Sequence, residues 1–169
     1  MASVLVFIDV PGLPLPRASR ELLTIARGLG EAAVASPRGL SDEVLQALGD
    51  YGVAAVYEPA EELPYVLIAA KAAFLAEAAR TADAAAVLLG NSFEDREVAA
   101  RTGIKLGSGV ITDAVAVAPD FSVTKSVLAG SYTSTCRVQT RVPVITVKAN
   151  SVEPVPAQAP AASERRRIA

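Results

Sequence analysis

Four short apolar runs, VLVFID (4–9), AAVA (32–35), VAAVY (53–57) and AAAVLL (84–89), are separated by segments of helical period. Nothing else in the chain constrains its fold as strongly. Each run has strand length and is almost continuously apolar, as in strands covered on both faces. Between the first two, Ser19–Leu29 puts Leu22, Leu23, Ala26 and Leu29 on one helical face, with Gly30 where a left-handed C-cap belongs. Ser41 reads as the N-cap of a helix carrying Val44, Leu45 and Leu48, with Asp42 and Glu43 in its first turn and Gly52 closing the unit. Glu61–Arg80 reads as a long helix with Pro64 tolerated in its first turn. Glu94–Leu106 reads as a fourth helix, capped by Gly107. This alternation predicts a parallel sheet with right-handed crossovers and helices on both faces.

After Gly107 the pattern changes. Val110–Val117, FSVTKSVLAG (121–130) and RVPVITVKA (141–149) follow with no helical segment between them. They are expected to be antiparallel additions. The fold class read from the sequence is α/β, a Rossmann-like three-layer fold with a mostly parallel sheet and antiparallel strands in its last third. Residues 1–150 are expected to form this α/β domain. Residues 151–169, SVEPVPAQAPAASERRRIA, have no periodicity and are expected to be a Pro/Ala-rich linker or tail, with Arg165, Arg166 and Arg167 solvated.

Composition narrows the chemistry. The chain has no histidine, which excludes His-based triads and His-ligated metals within it. Carboxylate-only sites remain, suited to magnesium or calcium, but no EF-hand-like run of acids occurs. Cys136 is the one cysteine and has no histidine to activate it, so it reads as a small buried hydrophobe. The net charge of -2 gives no sign of a nucleic-acid partner. VLIAAKAAFLAEAA is broken by Lys71 and Glu77, so no membrane insertion is expected. The N-terminus enters an apolar strand with no basic leader region, which with the lone cysteine points to a cytoplasmic setting.

The stretch NSFEDREVAARTGIKLGSGVITD (91–113) raises the main functional question. Gly90, Asn91 and Ser92 follow a strand and precede a helix, which is where phosphates bind in open α/β sheets. The chemistry opposes it. Glu94 and Asp95 enter the helix as carboxylates, complement its dipole themselves and repel a phosphate. No Walker lysine follows, and the glycines at 103, 107 and 109 do not fit G-x-G-x-x-G. Gly103, inside the helix, costs about 1 kcal/mol relative to alanine and implies either a close approach or a tolerant helix. An acid-capped helix start facing a partner, with Glu94, Asp95, Arg96 and Arg101 as interface candidates, is the preferred reading. Asp9 reads as a loop cap at the end of the first strand. Asp113 needs a partner if buried, with Arg101 as a candidate. The hydroxyls of AGSYTSTC (129–136) read as satisfying backbone groups at a strand end.

Several segments, in order, resemble a known family: ELLTIARGLG (21–30), REVAARTGIKLGSGVITDAVAV (96–117), LAGSYTSTCRV (128–138) and VPVITVKANSVEPV (142–155). Together they resemble the N-terminal domain of the electron transfer flavoprotein α-subunit, over about Val4 to Val155. The resemblance implies a Rossmann-like module that serves as scaffold and binds the β-subunit. It implies FAD in a C-terminal domain that this chain does not contain, and AMP in the β-subunit. The whole complex would carry electrons from flavin dehydrogenases, such as those of fatty acid oxidation, to a quinone reductase. By itself the chain would be neither enzyme nor flavoprotein. It departs from the family in ending at Ala169, in having Asp95 before Arg96 where the family has glycine, and in its proline-rich loop VPGLPLP (10–16). The first departure implies a fragment, which could self-associate through an exposed patch. Two further readings stand beside it. One is a free-standing, universal-stress-like adenine-nucleotide binder using Gly90–Ser92 and GSGV. The other is a small carboxylate enzyme using Asp9, Asp95 or Asp113.

Overall fold

The computed structural model describes residues 2–64 and 66–169. Its first half alternates as the apolar runs predict: β1 (Ser3–Phe7), α1 (Arg17–Leu29), β2 (Glu31–Ala35), α2 (Asp42–Asp50), β3 (Ala55–Pro59), α3 (Ile68–Thr81), β4 (Ala84–Leu89) and α4 (Phe93–Leu106). Five strands follow: β5 (Val110–Val117), β6 (Val123–Val127), β7 (Tyr132–Cys136), β8 (Val144–Val147) and β9 (Glu164–Ile168). They form one nine-stranded sheet in the order β7-β6-β5-β8-β4-β1-β2-β3-β9. The fold is α/β with three layers, and only the pairings of β6 with β5 and with β7 are antiparallel.

The two-residue period of β1 divides the core. Val4 and Val6 join Leu22, Leu23, Val44 and Leu48 on one face, beneath α1 and α2. Leu5 and Phe7 join Leu75, Ala78, Val98 and Ala99 on the other, beneath α3 and α4. A strand with both faces covered reads as a continuous apolar run because alternate residues serve different layers.

Several expectations need correction. Gly30 is not a left-handed cap: its backbone is extended, with φ 176°. A Cβ there would lie 2.3 Å from the Ala2 carbonyl oxygen, so close backbone approach explains the glycine. Gly107 does cap α4 in the left-handed region. The helix expected over 61–80 starts only at Ile68. Ala60 donates to the Ile168 carbonyl at 2.7 Å, which keeps the chain in the ladder, and Pro64 lies in the connection that follows. Tyr65, part of that expected helix, lies outside the described residues. The expected strand at 53–57 begins at Ala55, because Val53 donates its N–H to Leu48 at the end of α2.

The last third differs most. RVPVITVKA does contain a strand, but β8 is inserted between β4 and β5 and runs parallel to both. All four of its residues are buried, as a central position requires. The hydroxyl-rich segment is not merely a strand end: it forms β7. Residues 164–168, expected in a linker or tail, pair with β3 as β9 and bury Ile168. Arg165 is not free in solvent. It donates to the Leu40 carbonyl at 2.7 Å and pairs with the buried Glu58 carboxylate at 3.3 Å. Arg166 reaches the Tyr57 hydroxyl.

The connection to β9 is tied down along its length. Val155 and Thr24 exchange hydrogen bonds, Ala157 donates to Asp50, and Ala161 donates to Gly49. A Cβ on Gly49 would lie 2.3 Å from the Ala161 carbonyl oxygen. Gly49→Ala therefore sets a helix-propensity gain of about 1 kcal/mol against overpacking of about 1–3 kcal/mol. The expected outcome is a net loss of stability in urea titration, with faster proteolysis between 150 and 163.

Candidate functional site

The strand order reverses direction at β1, which has β2 on one side and β4 on the other. In open α/β sheets, ligands bind at such a switch point, beyond the carboxyl ends of the strands. Here the loop after β1 delivers Asp9, the loop after β4 delivers Gly90, Asn91 and Ser92, and the starts of α3 and α4 deliver Lys71 and Glu94–Arg96. The positively charged ends of two helices thus converge on one crevice.

There this chain's own side chains pair with one another. Lys71 is buried, and its Nζ lies 2.6 Å from Asp9 Oδ2 while also pairing with Glu94 Oε1. Burial, the largest single influence on Lys71, lowers its pKa. The hydrogen bonds and charges of Asp9 and Glu94 outweigh it, and the lysine is held above its ordinary value. Asp9 is therefore an ion-pair partner and not simply a loop cap; its other oxygen, Oδ1, is buried without a hydrogen bond.

Beside this cluster, Ser92 and Asp95 form a reciprocal capping box at the start of α4. The Asp95 N–H donates to Ser92 Oγ at 3.0 Å, and the Ser92 N–H donates to Asp95 Oδ2 at 3.1 Å. A Cβ on Gly90 would lie 2.6 Å from Asp95 Oδ2. The glycine makes room for the protein's own carboxylate at the place where a nucleotide loop makes room for phosphate.

Asn91 ties the third group together. Its Nδ2 donates to Asp113 Oδ1 at 2.9 Å, and its Oδ1 accepts from the Asp113 N–H at 3.1 Å and the Thr146 hydroxyl at 2.6 Å. Asp113 sits in β5 at φ 62°, an uncommon conformation for a residue other than glycine, which asparagine and aspartate tolerate best. The Asn91 hydrogen bond is the main cause of an Asp113 pKa below the ordinary carboxylate value; the Thr112 hydroxyl and the charges of Arg96 and Lys125 act the same way against burial. The cation beside Asp113 is Arg96, at 3.8 Å. Arg101, the expected partner, instead pairs with Glu97 one turn away on the exposed face of α4. A Cβ on Gly103 would lie 2.3 Å from a methyl of Val110, so this helix glycine answers to the close approach of β5.

The structure therefore brings Gly90, Asn91, Ser92, Glu94, Asp95 and Arg96 to one edge and leaves Arg101 apart. Lys71 and Thr146 were missed. A lysine on the same face as Leu75, Ala78 and Ala79 was the available signal for Lys71, because a charge on an apolar stripe needs a buried counter-charge. The S-x-x-D spacing of Ser92 and Asp95 was the signal for the capping box. Asp9, Glu94 and Asp95 place three carboxylates, two of them paired with the Lys71 ammonium and the third bonded to Ser92, where an open α/β sheet presents donors to a phosphate. No helix among the described residues is long and apolar enough to cross a membrane.

The electron transfer flavoprotein domain family matches residues 4–168. The electron transfer flavoprotein subunit alpha of Mycobacterium tuberculosis is 33% identical over 160 residues, covering 93% of this chain and 50% of the relative. Its namesake in Mycobacterium leprae is 33% identical over 161 residues, covering 94% of this chain and 51% of the relative. The chain thus spans about half the length of the curated relatives it matches. With the family match running from β1 through β9, the chain belongs to the electron transfer flavoprotein domain family.

Proposed function

We propose that this chain is the scaffold and partner-binding domain of an electron transfer flavoprotein α-subunit and holds no redox cofactor itself. The observation that carries this reading is the internal pairing at the switch point, Lys71 with Asp9 and Glu94 and Ser92 with Asp95, where an open α/β sheet would hold a nucleotide. FAD is assigned to the remainder of an α-subunit and AMP to a β-subunit. The complete assembly would pass electrons from flavin dehydrogenases to a quinone reductase or similar acceptor, in a cytoplasmic setting. Glu94, Asp95 and Arg96, with the exposed Phe93 ring against which Arg96 stacks at 4.8 Å, are proposed to face the β-subunit. Arg101 remains a second candidate on the same helix.

The same carboxylates weigh against a free-standing adenine-nucleotide binder. The test is a spectrum of the purified chain before and after incubation with FAD and desalting, joined to calorimetry with AMP and ATP. The expected result is a colourless protein, no retained flavin and no tight nucleotide binding. Gel filtration with a β-subunit should then give a complex. Retained yellow colour, or tight AMP or ATP binding, would overturn the division of labour.

A further inference from the structure

The last strand is held differently from its neighbours. β9 pairs with β3 alone. Glu164 to Arg167 are exposed, and only Ile168 enters the core, in the cluster of Phe74 and Leu75. Segments with few buried apolar contacts and a solvent-exposed ladder open before the rest of a fold does. The connection before β9 is anchored separately, by the Ala157 N–H on the Asp50 carbonyl and the Ala161 N–H on the Gly49 carbonyl. Residues 163–168 are therefore able to leave β3 while residues 157–161 stay in place.

One ion pair holds this strand closed, and it reaches beyond the strand. Glu58 of β3 is buried. Its Oε1 accepts from the Leu40 N–H at 3.0 Å, and its Oε2 lies 3.3 Å from Arg165 Nε. Arg165 in turn donates to the Leu40 carbonyl at 2.7 Å and to Asp42 Oδ1 at 3.3 Å. Both backbone groups of Leu40 are thus satisfied by the two members of the pair. Leu40 is buried and directly precedes Ser41, the N-cap of α2. Its loop leaves the carboxyl end of β2, the end of an open α/β sheet where ligands bind. When β9 lifts, Leu40 loses a donor and the buried Glu58 carboxylate loses its cation, which is costly for a charge out of water.

We propose that β9 is a clasp: it opens and closes on β3 as a unit, with the Glu58–Arg165 pair as its catch, and its state sets the order of the loop at residues 36–41. The two-state element is the strand, and the physical link is the ring of contacts joining Leu40, Glu58 and Arg165. Closed, β9 fixes Leu40 and with it the entry to α2. Open, it leaves that loop short of a donor at the end of the sheet where ligands bind. Whatever pulls on β9 is thereby felt at the start of α2.

Native-state hydrogen exchange reads this directly. The Glu164 N–H, bonded to Ala54, and the Ala60 N–H, bonded to Ile168, report the two ends of the strand, and the Leu40 N–H reports the loop. In the wild type, Glu164 and Ala60 should exchange roughly tenfold or more faster than the amides of β1 and β4. Arg165→Met should speed Glu164, Ala60 and Leu40 together by roughly a further tenfold and leave β1 and β4 unchanged. Arg165→Lys, which keeps the charge but loses the fork of donors, should give a smaller change of the same sign. Arg167→Met, two residues along the strand, should leave the Leu40 amide as it is. Brief trypsin treatment should cut after Arg166 or Arg167 faster in Arg165→Met, and circular dichroism reports whether each variant is folded. Wild-type Glu164 and Ala60 amides that exchange only with global unfolding overturn the proposal. So does an Arg165 variant that speeds β1 and β4 as much as β9, or one that frees β9 and leaves Leu40 unchanged. Retained flavin leaves the clasp untouched, and a strand that never opens leaves the scaffold reading untouched.

Discussion

Lys71→Met should lower the unfolding free energy at neutral pH by about 2–3 kcal/mol, read from urea titrations. Removing one partner of a fully buried ion pair costs about 3–5 kcal/mol, mostly because the other charge is left uncompensated. Lys71 is buried, Asp9 is mostly buried, and Glu94 is 47% exposed, so the cost falls below that range. Asp9→Asn in the Lys71→Met background should cost much less than in the wild type, since the carboxylate it removes is already unpaired. The pH dependence has a definite sign. The folded-state pKa of Lys71 is raised. Its contribution is therefore full below the ordinary lysine value and is lost as pH rises through the folded value. The gap between wild type and Lys71→Met should hold at neutral pH and narrow in strong alkali. Additive effects of Lys71→Met and Asp9→Asn would show that the pair is not coupled.

Asn91→Ala should cost about 1–3 kcal/mol, because it leaves the buried Thr146 hydroxyl without its acceptor and the Asp113 N–H with only the longer contact to Thr146 Oγ1 at 3.3 Å. It also removes the chief cause of the lowered Asp113 pKa. A carboxylate with a depressed folded pKa stabilises the protein above its unfolded value, and that contribution disappears as pH falls through the folded value. The difference between wild type and Asn91→Ala should thus be full at neutral pH and shrink in acid below the ordinary carboxylate range. Carbon-detected NMR titration of Asp113 checks the cause directly: its pKa should rise in the variant. An unchanged titration would assign the shift to Thr112 and Arg96 instead.

The parts of the fold legible in the sequence are those encoded within one element. Ser41 caps α2 by accepting from Val44, β4 and β5 have the expected bounds, and Gly107 adopts the left-handed cap. The acids at the start of α4 were visible too, and they do occupy the helix start. What those acids bind was not visible. Asp95 turns back to its own Ser92, whereas Glu94 reaches across to a lysine on α3.

Periodicity determined the buried faces of β1, α1, α2 and β4, because there burial pattern follows from 3.6- and 2-residue geometry. It therefore determined the α/β class and the location of the crevice. Only the tertiary structure decided neighbours. β8 lies between β4 and β5, β9 closes the edge beyond β3, and Lys71 meets Asp9 across 62 residues while Thr146 meets Asn91 across 55. A strand's hydrogen-bonding groups are the same whichever strand receives them, and a buried charge announces its need for a partner without naming it. Those choices are made by the packing of the whole sheet, where the full set of strands and helices leaves each group one place to be satisfied.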